Sequence, residues 1–257
     1  MCTLILGRDV VAPGTVLLGA NRDEDPKRPS DPPRVLRAEP RLVGGRDRVA
    51  GGSWLAVRER RAVLAMLNRR ADVASPAERR SRGQLTLEVA AAPDTGDLSQ
   101  SAVETARNAT TRDVYSPFSL LFASPSDCWV LSGNPSGPPR IENIGAGWHV
   151  ITHADLDDPG EPRTAMLLAG LRDWKPLTLE EAERGLWERL RGHGDGATDS
   201  APAVCIHAGT MRTVSSALVW LSRGQSRYMH VEGRPCETQP MDYTPLLANQ
   251  VGAQEKP

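Results

Sequence analysis

The sequence predicts an α+β fold in which helices pack on largely antiparallel sheets. Segments with strand character and segments with helical spacing come in blocks, in the order strands, helices, strands, helices, strands. No regular strand–helix alternation is present, so a doubly wound parallel sheet is not expected. The 257 residues suit one domain of this kind. We place that domain at residues 1–240 and expect a poorly packed C-terminal tail at 241–257.

The first block contains four predicted strands, at residues 2–7, 15–20, 53–57 and 62–67. The first two are joined by a turn at 11–14. Strand 15–20 is apolar on both faces, so we expect it to be buried on both sides. The last two form a hairpin. A surface loop is predicted after the second strand, because proline forbids regular structure at four positions, Pro26, Pro29, Pro32 and Pro33.

The later blocks alternate helix pairs with groups of strands. Helices are predicted at 84–92, 97–108, 161–173 and 178–191. Thr178 with Glu181 has the capping-box pattern. Strands are predicted at 118–123, 128–132, 140–144, 148–152, 203–207, 213–221 and 228–231. Residues 71–82 and 192–200 are predicted to be flexible loops.

Composition excludes several classes of function. The formal net charge is −1, and no long basic run with interleaved aromatic residues is present, so nucleic acid is not an expected partner. No apolar run approaches the ~20 residues that a membrane helix needs. Without a signal peptide, and with four widely spaced cysteines, a cytoplasmic protein with reduced thiols is expected. The oligomeric state is not predicted.

Cys2 is the candidate around which the other functional residues are organised. Removal of Met1 would leave a thiol and a free α-amino group on one residue. An α-amino group titrates at about 7.7–8.0 and a thiol near 8.5, so the amine can take the thiol proton near neutral pH. Nucleophile and base would then share one residue. The alternative is that Cys2 is a small apolar residue at the start of a strand.

A polar run, Asn21-Arg22-Asp23-Glu24, follows the second predicted strand. In the functional interpretation, Asp23 or Arg22 orients the Cys2 amine and stabilises the thiolate. In the structural alternative, the run is a loop held by arginine–carboxylate pairs. Thr152-His153 likewise ends a predicted strand with polar groups.

Metal and nucleotide sites are not predicted. Cys205, His207, His230 and Cys236 could supply soft ligands. However, a Cys-x-His pair in a strand lacks the loop geometry of zinc motifs, so we expect no metal. No dinucleotide-binding loop or Walker-type lysine motif is present.

The chain resembles the NRDE protein family, whose eukaryotic member is known as transport and Golgi organisation protein 2. The resemblance covers roughly residues 1–235 and is specific because its motifs occur in order. The matching stretches are Met1-Cys2, Asn21-Arg22-Asp23-Glu24, Gly51-Gly52-Ser53-Trp54-Leu55-Ala56, Leu67-Asn68-Arg69, Ser81-Arg82-Gly83, Pro117-Phe118-Ser119-Leu120-Leu121 and Gly209-Thr210-Met211-Arg212-Thr213-Val214-Ser215-Ser216.

That family is similar in pattern to N-terminal-nucleophile hydrolases of the choloylglycine hydrolase and penicillin V acylase kind. The resemblance implies a four-layer αββα sandwich and hydrolysis of a linear amide in a small-molecule amide or acyl substrate. It implies Cys2 as nucleophile and base, Asp23 as the acid that holds the α-amino group, and Asn68 as an oxyanion donor. Arg212 takes roughly the place of a late arginine near the nucleophile. The residues assigned to substrate binding are Asn21, Arg22 and Trp54.

One position departs from the hydrolase pattern. Where those enzymes have Thr-Asn before a helix, this chain has Thr152-His153. His153 could donate through a ring N–H, and an oxyanion donor contributes about 10²–10³ in rate. The alternative to a hydrolase is a haem-binding, or lipid- or acyl-binding, trafficking protein in which Cys2 and His153 hold the ligand. No cofactor is expected for the hydrolase.

Overall fold

The computed structural model describes residues 2–70, 79–133, 137–194 and 202–248. Within them, two antiparallel sheets lie face to face and helices cover both outer faces. The strands are β1 Thr3–Arg8, β2 Val16–Glu24, β3 Ser30–Arg37, β4 Leu42–Asp47, β5 Leu55–Arg58, β6 Ala62–Asn68, β7 Phe118–Ala123, β8 Cys128–Gly133, β9 Arg140–Asn143, β10 Gly147–Ile151, β11 Arg212–Leu221, β12 Ser226–Glu232 and β13 Met241–Asp242. The helices are α1 Arg82–Ala90, α2 Leu98–Arg112, α3 Pro162–Leu171 and α4 Leu179–Leu190.

The first sheet has the order β10-β1-β2-β11-β12-β13, and the second has the order β3-β4-β5-β6-β7-β8-β9. Apolar side chains of both sheets, such as Leu6 and Val63, form the central layer of the core. A second cluster packs the outer face of the second sheet onto α1 and α2. A third packs the outer face of the first sheet onto α3 and α4. The fold is therefore the predicted α+β αββα sandwich.

The predicted surface loop after β2 is wrong, because that segment forms β3 and β4. Pro32 and Pro33 lie in β3, which is the edge strand of its sheet, and the register with β4 shifts between Asp31 and Arg34. Proline has no backbone N–H to donate to a neighbouring strand. It is tolerated in an edge strand or at a bulge, because no neighbouring strand needs that hydrogen bond there. β2 also runs on through Glu24, so the polar run lies inside the strand rather than after it.

The predicted strand at 203–207 is also absent. This segment is irregular, with Val204 and Cys205 both donating their backbone N–H to the carbonyl of Gly192. At the other end of the described chain, β13 pairs with β12, and Leu247 is buried against the central core. Tyr243, Leu246 and Leu247 therefore pack against the core, contrary to expectation, although Met241 and Asp242 are exposed. Most of the predicted loops at 71–82 and 192–200 lies outside the described residues.

The helices agree with prediction within a few residues. Thr178 caps α4 by accepting from the backbone N–H of Glu181 at 3.1 Å, as the capping-box pattern predicts. The Glu181 carboxylate accepts from the N–H of Leu177 instead of returning to Thr178. None of the described helices is long and apolar enough to cross a membrane.

Candidate active site

Cys2 lies directly before β1, at the edge where β1 and β2 carry their polar residues. Thr3 pairs with Asn21, so Cys2 is held beside the Arg22–Asp23 segment of β2. The half-buried thiol lies 3.9 Å from the backbone carbonyl of Asp23, to which it donates a weak hydrogen bond. Burial raises the pKa of the Cys2 thiol, and the charge of Asp23 raises it further. The thiol is therefore protonated at neutral pH and needs a base to become a nucleophile.

Asp23 is a buried carboxylate with a defined set of partners. It is 2% exposed. Its Oδ1 accepts a hydrogen bond from Thr213 Oγ1 at 2.7 Å, and its Oδ2 lies 3.7 Å from Arg163 Nη1. Burial raises the pKa of Asp23 to about 6, against the opposing effects of the Thr213 hydrogen bond and the Arg163 charge. The carboxylate is thus mostly ionised at pH 7 although it is shielded from water.

Arg163 is a site residue that the sequence did not reveal. It follows Pro162 in the first turn of α3, and its Nη1 donates to Thr3 Oγ1 at 2.8 Å while facing Asp23. The same turn is anchored by Glu161, whose Oε2 accepts from the Thr164 N–H and from Thr152 Oγ1. Arg163 lies in no recognisable motif. Thr213, by contrast, lies in the late family motif, which could have pointed to it.

A cleft of about 470 Å³ opens above Cys2. Ser53 and Trp54 come from the segment before β5, Asn68 from the end of β6, and Arg82 with Gly83 from the start of α1. Gly52 makes this closure possible, because a Cβ on it would lie 2.2 Å from the carbonyl carbon of Gly83. The cleft walls include five arginines and three carboxylates, namely Arg22, Arg28, Arg79, Arg80, Arg82, Asp23, Glu24 and Asp47.

Two of the predicted substrate-binding residues line the cleft, and the third braces the fold. The Arg22 guanidinium stacks over the Trp54 ring at 4.1 Å, and its Nη1 donates to Ser30 Oγ at 3.1 Å. Asn21 is 1% exposed. Both of its amide hydrogens are used by the carbonyls of Leu190 and Val204, at 2.9 Å each.

Of the other predicted residues, Asn68 lines the cleft, whereas His153 and Arg212 do not line it. Asn68, the last residue of β6, lines the cleft with Cys2. His153 lies just after β10, and its buried Nδ1 has no hydrogen-bond partner among the described residues. Burial lowers the pKa of His153, and the charges of Arg70 and Arg163 add to this, so its ring is neutral at pH 7. Arg212 is exposed, and its Nε donates to the Gly209 carbonyl at 3.1 Å. Its catalytic role stays a prediction that no described contact supports.

Solved structures with the same architecture are amide hydrolases. The conjugated bile acid hydrolase of Clostridium perfringens superposes with a TM-score of 0.59 at 12% identity, covering 97% of this chain and 95% of that one. Penicillin V acylase of Agrobacterium tumefaciens gives 0.59 at 14% identity, covering 98% and 90%. The Caenorhabditis elegans N-acylethanolamine-hydrolyzing acid amidase ortholog gives 0.57 at 13% identity, covering 84% and 92%. At these identities the similarity establishes the N-terminal-nucleophile hydrolase fold.

Sequence comparison establishes the family. No curated protein matches the chain by sequence. The family model described as Transport and Golgi organisation 2 matches residues 1–185, which include Cys2, Asp23, Asn68 and His153. This match covers well over half of the 257 residues and agrees with the ordered motifs of the sequence. The chain belongs to the Transport and Golgi organisation 2 family.

Proposed function

We propose that this protein is a cysteine N-terminal-nucleophile hydrolase that cleaves a linear amide bond after removal of Met1. The observation that carries the proposal is that a half-buried thiol, Cys2, lies against the backbone of Asp23, a residue with a buried carboxylate, at an open cleft. The hydrolase architecture of the solved neighbours supports it. We extend the hydrolytic chemistry of these neighbours to this protein.

The first half of the reaction transfers the acyl group to Cys2. The free α-amino group takes the thiol proton, and the thiolate attacks the carbonyl carbon of the amide. The electron pair of the carbonyl moves onto oxygen, where Asn68 and backbone N–H groups stabilise the oxyanion. The C–N bond then breaks, and the α-ammonium gives its proton to the leaving amine. A thioester on Cys2 results.

The second half restores the enzyme. The α-amino group removes a proton from water, and the resulting hydroxide attacks the thioester carbonyl. The C–S bond breaks, the acid leaves, and the thiolate regains its proton from the ammonium. Asp23 is close enough to the start of β1 to stabilise the positive charge on the amine, and Arg163 and Thr213 keep its carboxylate oriented.

The test is turnover of a panel of N-acyl amides by the wild-type protein and by Cys2→Ala. We expect the substitution to reduce kcat/KM by about 10³-fold or more, because it removes the nucleophile. Cys128→Ala is the matched control, since Cys128 is a buried thiol on β8 outside the cleft. Equal turnover by wild type and Cys2→Ala would refute the proposal.

The haem-, lipid- or acyl-binding alternative stays a prediction from the sequence. It uses Cys2 and His153 as well, and no contact among the described residues favours it over hydrolysis. A haem titration of the wild-type and Cys2→Ala proteins distinguishes the two, because a Soret shift that depends on Cys2 belongs to binding alone.

A further inference from the structure

Four soft side chains meet on the far side of β11, apart from the cleft. His193 follows α4, Cys205 and His207 lie in the irregular segment before β11, and Cys236 follows β12. One ligand atom from each lies within 4.8 Å of all the others. Both cysteines are free thiols. None of these four residues lines the Cys2 cleft.

Four of the six distances between the ligand atoms are close to the edges of a metal-centred tetrahedron. The two sulfurs are 3.6 Å apart, and His207 Nε2 is 3.0 Å from His193 Nε2. The same His207 nitrogen is 3.1 Å from Cys236 Sγ and 3.7 Å from Cys205 Sγ. With Zn–S of about 2.3 Å and Zn–N of about 2.0–2.1 Å, a tetrahedral site has edges of about 3.8, 3.3 and 3.6 Å for S–S, N–N and S–N.

We propose that His193, Cys205, His207 and Cys236 bind one Zn²⁺ ion in a structural Cys₂His₂ site. The ligand set fits zinc because tetrahedral sites with two sulfur and two nitrogen ligands are typical of it. Four protein ligands leave no open position, so the ion has a structural role. A disulfide fits poorly, since the sulfurs are 3.6 Å apart whereas an S–S bond is about 2.05 Å.

A strand at 203–207 would lack the loop geometry of a zinc motif. That strand does not form, and Cys205 and His207 instead lie in a loop with Gly209 at a φ of +94°. The loop brings both side chains to Cys236, with Cys205 Sγ at 3.6 Å and His207 Nε2 at 3.1 Å from Cys236 Sγ. His230, the other ligand considered from the sequence, is buried in β12 and is not part of the cluster.

A carboxylate is available to orient one ligand. Zinc on Nε2 of His207 leaves the proton on Nδ1, which lies 3.8 Å from Glu237 Oε1. Arg234 Nη1, which can only donate, is 3.2 Å from the same Nδ1, and its other nitrogens pair with Glu237 at 2.6 and 2.8 Å. Zinc binding would therefore transfer the Nδ1 contact from Arg234 to Glu237. Metal-bound histidines usually have such a carboxylate partner. Glu237 therefore acts as a positioning residue.

The segment that carries two of the zinc ligands is also hydrogen-bonded to residues of the candidate active site. Ile206, between two of the ligands, exchanges hydrogen bonds with Thr213, which in turn donates to Asp23. Val204, just before Cys205, accepts from the buried Asn21 amide. Zinc thus fixes the segment that holds two residues of the Asn21–Glu24 run.

The experiment measures metal in the full chain purified without a histidine tag or chelator. We expect elemental mass spectrometry to find about one zinc per chain. After exchange with Co²⁺, the absorption spectrum should show tetrahedral d–d bands and thiolate charge-transfer bands. Cys205→Ser/Cys236→Ser should lose both. Cys2→Ser should keep both, which separates this proposal from the proposed hydrolase function. Glu237→Gln should weaken Zn²⁺ affinity about 10–100-fold.

Thiol labelling of the wild-type protein keeps the test independent of how the variants fold. With Zn²⁺ bound, Cys205 and Cys236 should resist alkylation, and a chelator should expose Cys236 while leaving the labelling of Cys2 unchanged. The proposal is refuted by a protein that takes up neither Zn²⁺ nor Co²⁺, by metal retained in Cys205→Ser/Cys236→Ser, or by a Cys205–Cys236 disulfide in the protein as isolated.

Discussion

At the scale of single residues, the environment of Cys2 keeps its thiol neutral until a base acts on it. Burial raises the pKa of the thiol, and the Asp23 charge adds to the effect. Asp23 itself needs partners to stay ionised in a buried position, and Thr213 and Arg163 provide them. Each of these couplings can be measured separately.

Asp23→Asn should make Cys2 more reactive toward iodoacetamide. The substitution removes a negative charge that raises the pKa of the Cys2 thiol, so the thiolate fraction at pH 7–8 increases. We therefore expect faster alkylation of Cys2 in the variant than in the wild-type protein. The rate is measured by mass spectrometry of the Cys2 peptide. Asp25→Asn, at an exposed carboxylate, is the control and should leave the rate unchanged.

The proposed hydrolase activity should fall as the pH falls through about 6, because burial raises the pKa of Asp23 to about 6 and its ionised form is the one proposed to hold the amine. Thr213→Val removes a hydrogen bond that favours the ionised form, so the acidic limb should move to higher pH. Thr213→Ser keeps a hydroxyl and should keep the limb in place. A limb that stays near 6 in Thr213→Val would show that Asp23 does not control it.

His153→Asn restores the residue that the hydrolase pattern has at this position. The His153 side chain has a buried Nδ1 without a described partner, while its backbone carbonyl accepts from the Arg70 N–H and is unaffected by the change. If an amide donor is what the site lacks, acylation of Cys2 should speed up by about 10²-fold. A slower reaction would mean that the imidazole already fills the donor role.

At the scale of elements, Asn21 ties β2 to α4 and to the segment before β11. Its amide donates to two carbonyls, and its Oδ1 accepts from Ser216 Oγ at 2.6 Å. Asn21→Ala should lower the free energy of unfolding by about 3 kcal/mol, because buried polar groups lose their partners. Asn143→Ala, at an exposed position of β9, should change it by less than about 0.5 kcal/mol. Urea denaturation measures both.

The elements also show where sequence patterns stop being informative. Buried strands such as β2, β6 and β7 were predicted because a short, continuous apolar run has few alternatives to a buried strand. β3 was missed because its two prolines are acceptable only at an edge, and a strand's place in a sheet is a tertiary property. The segment at 203–207 alternates like a strand but is held by Gly192 and Thr213, which are distant in sequence.

At the scale of the whole molecule, the block order of the elements and the ordered motifs predicted the layered fold and the family. They also placed Asp23 and Asn68 near Cys2, since both come at the ends of strands. They did not predict Arg163, whose contact with Asp23 joins elements far apart in the chain. They named three members of the cluster around Cys205 but rejected a metal there, because a strand was expected at 203–207. Arg212 lies in a matching motif and is exposed, so its role stays a prediction.

The charge of the cleft should bias the choice of substrate. Arg82 Nη1 is fixed by the Pro117 carbonyl at 2.9 Å, and no carboxylate lies within ion-pairing distance of it among the described residues. We expect Arg82→Gln to lower kcat/KM about tenfold for an N-acyl amide with a carboxylate and much less for its neutral isostere. Arg107→Gln, on the exposed face of α2, is the control. Equal losses for both substrates would contradict a role in charge recognition.

The central claim is that Cys2 is an N-terminal nucleophile. Intact-mass analysis of the native protein, before and after incubation with a reactive N-acyl amide, tests it most directly. We expect a chain that begins at Cys2 and gains one acyl group, with the adduct mapped to Cys2 and absent from Cys2→Ala. Active protein that retains Met1, or acylation that persists in Cys2→Ala, would contradict it.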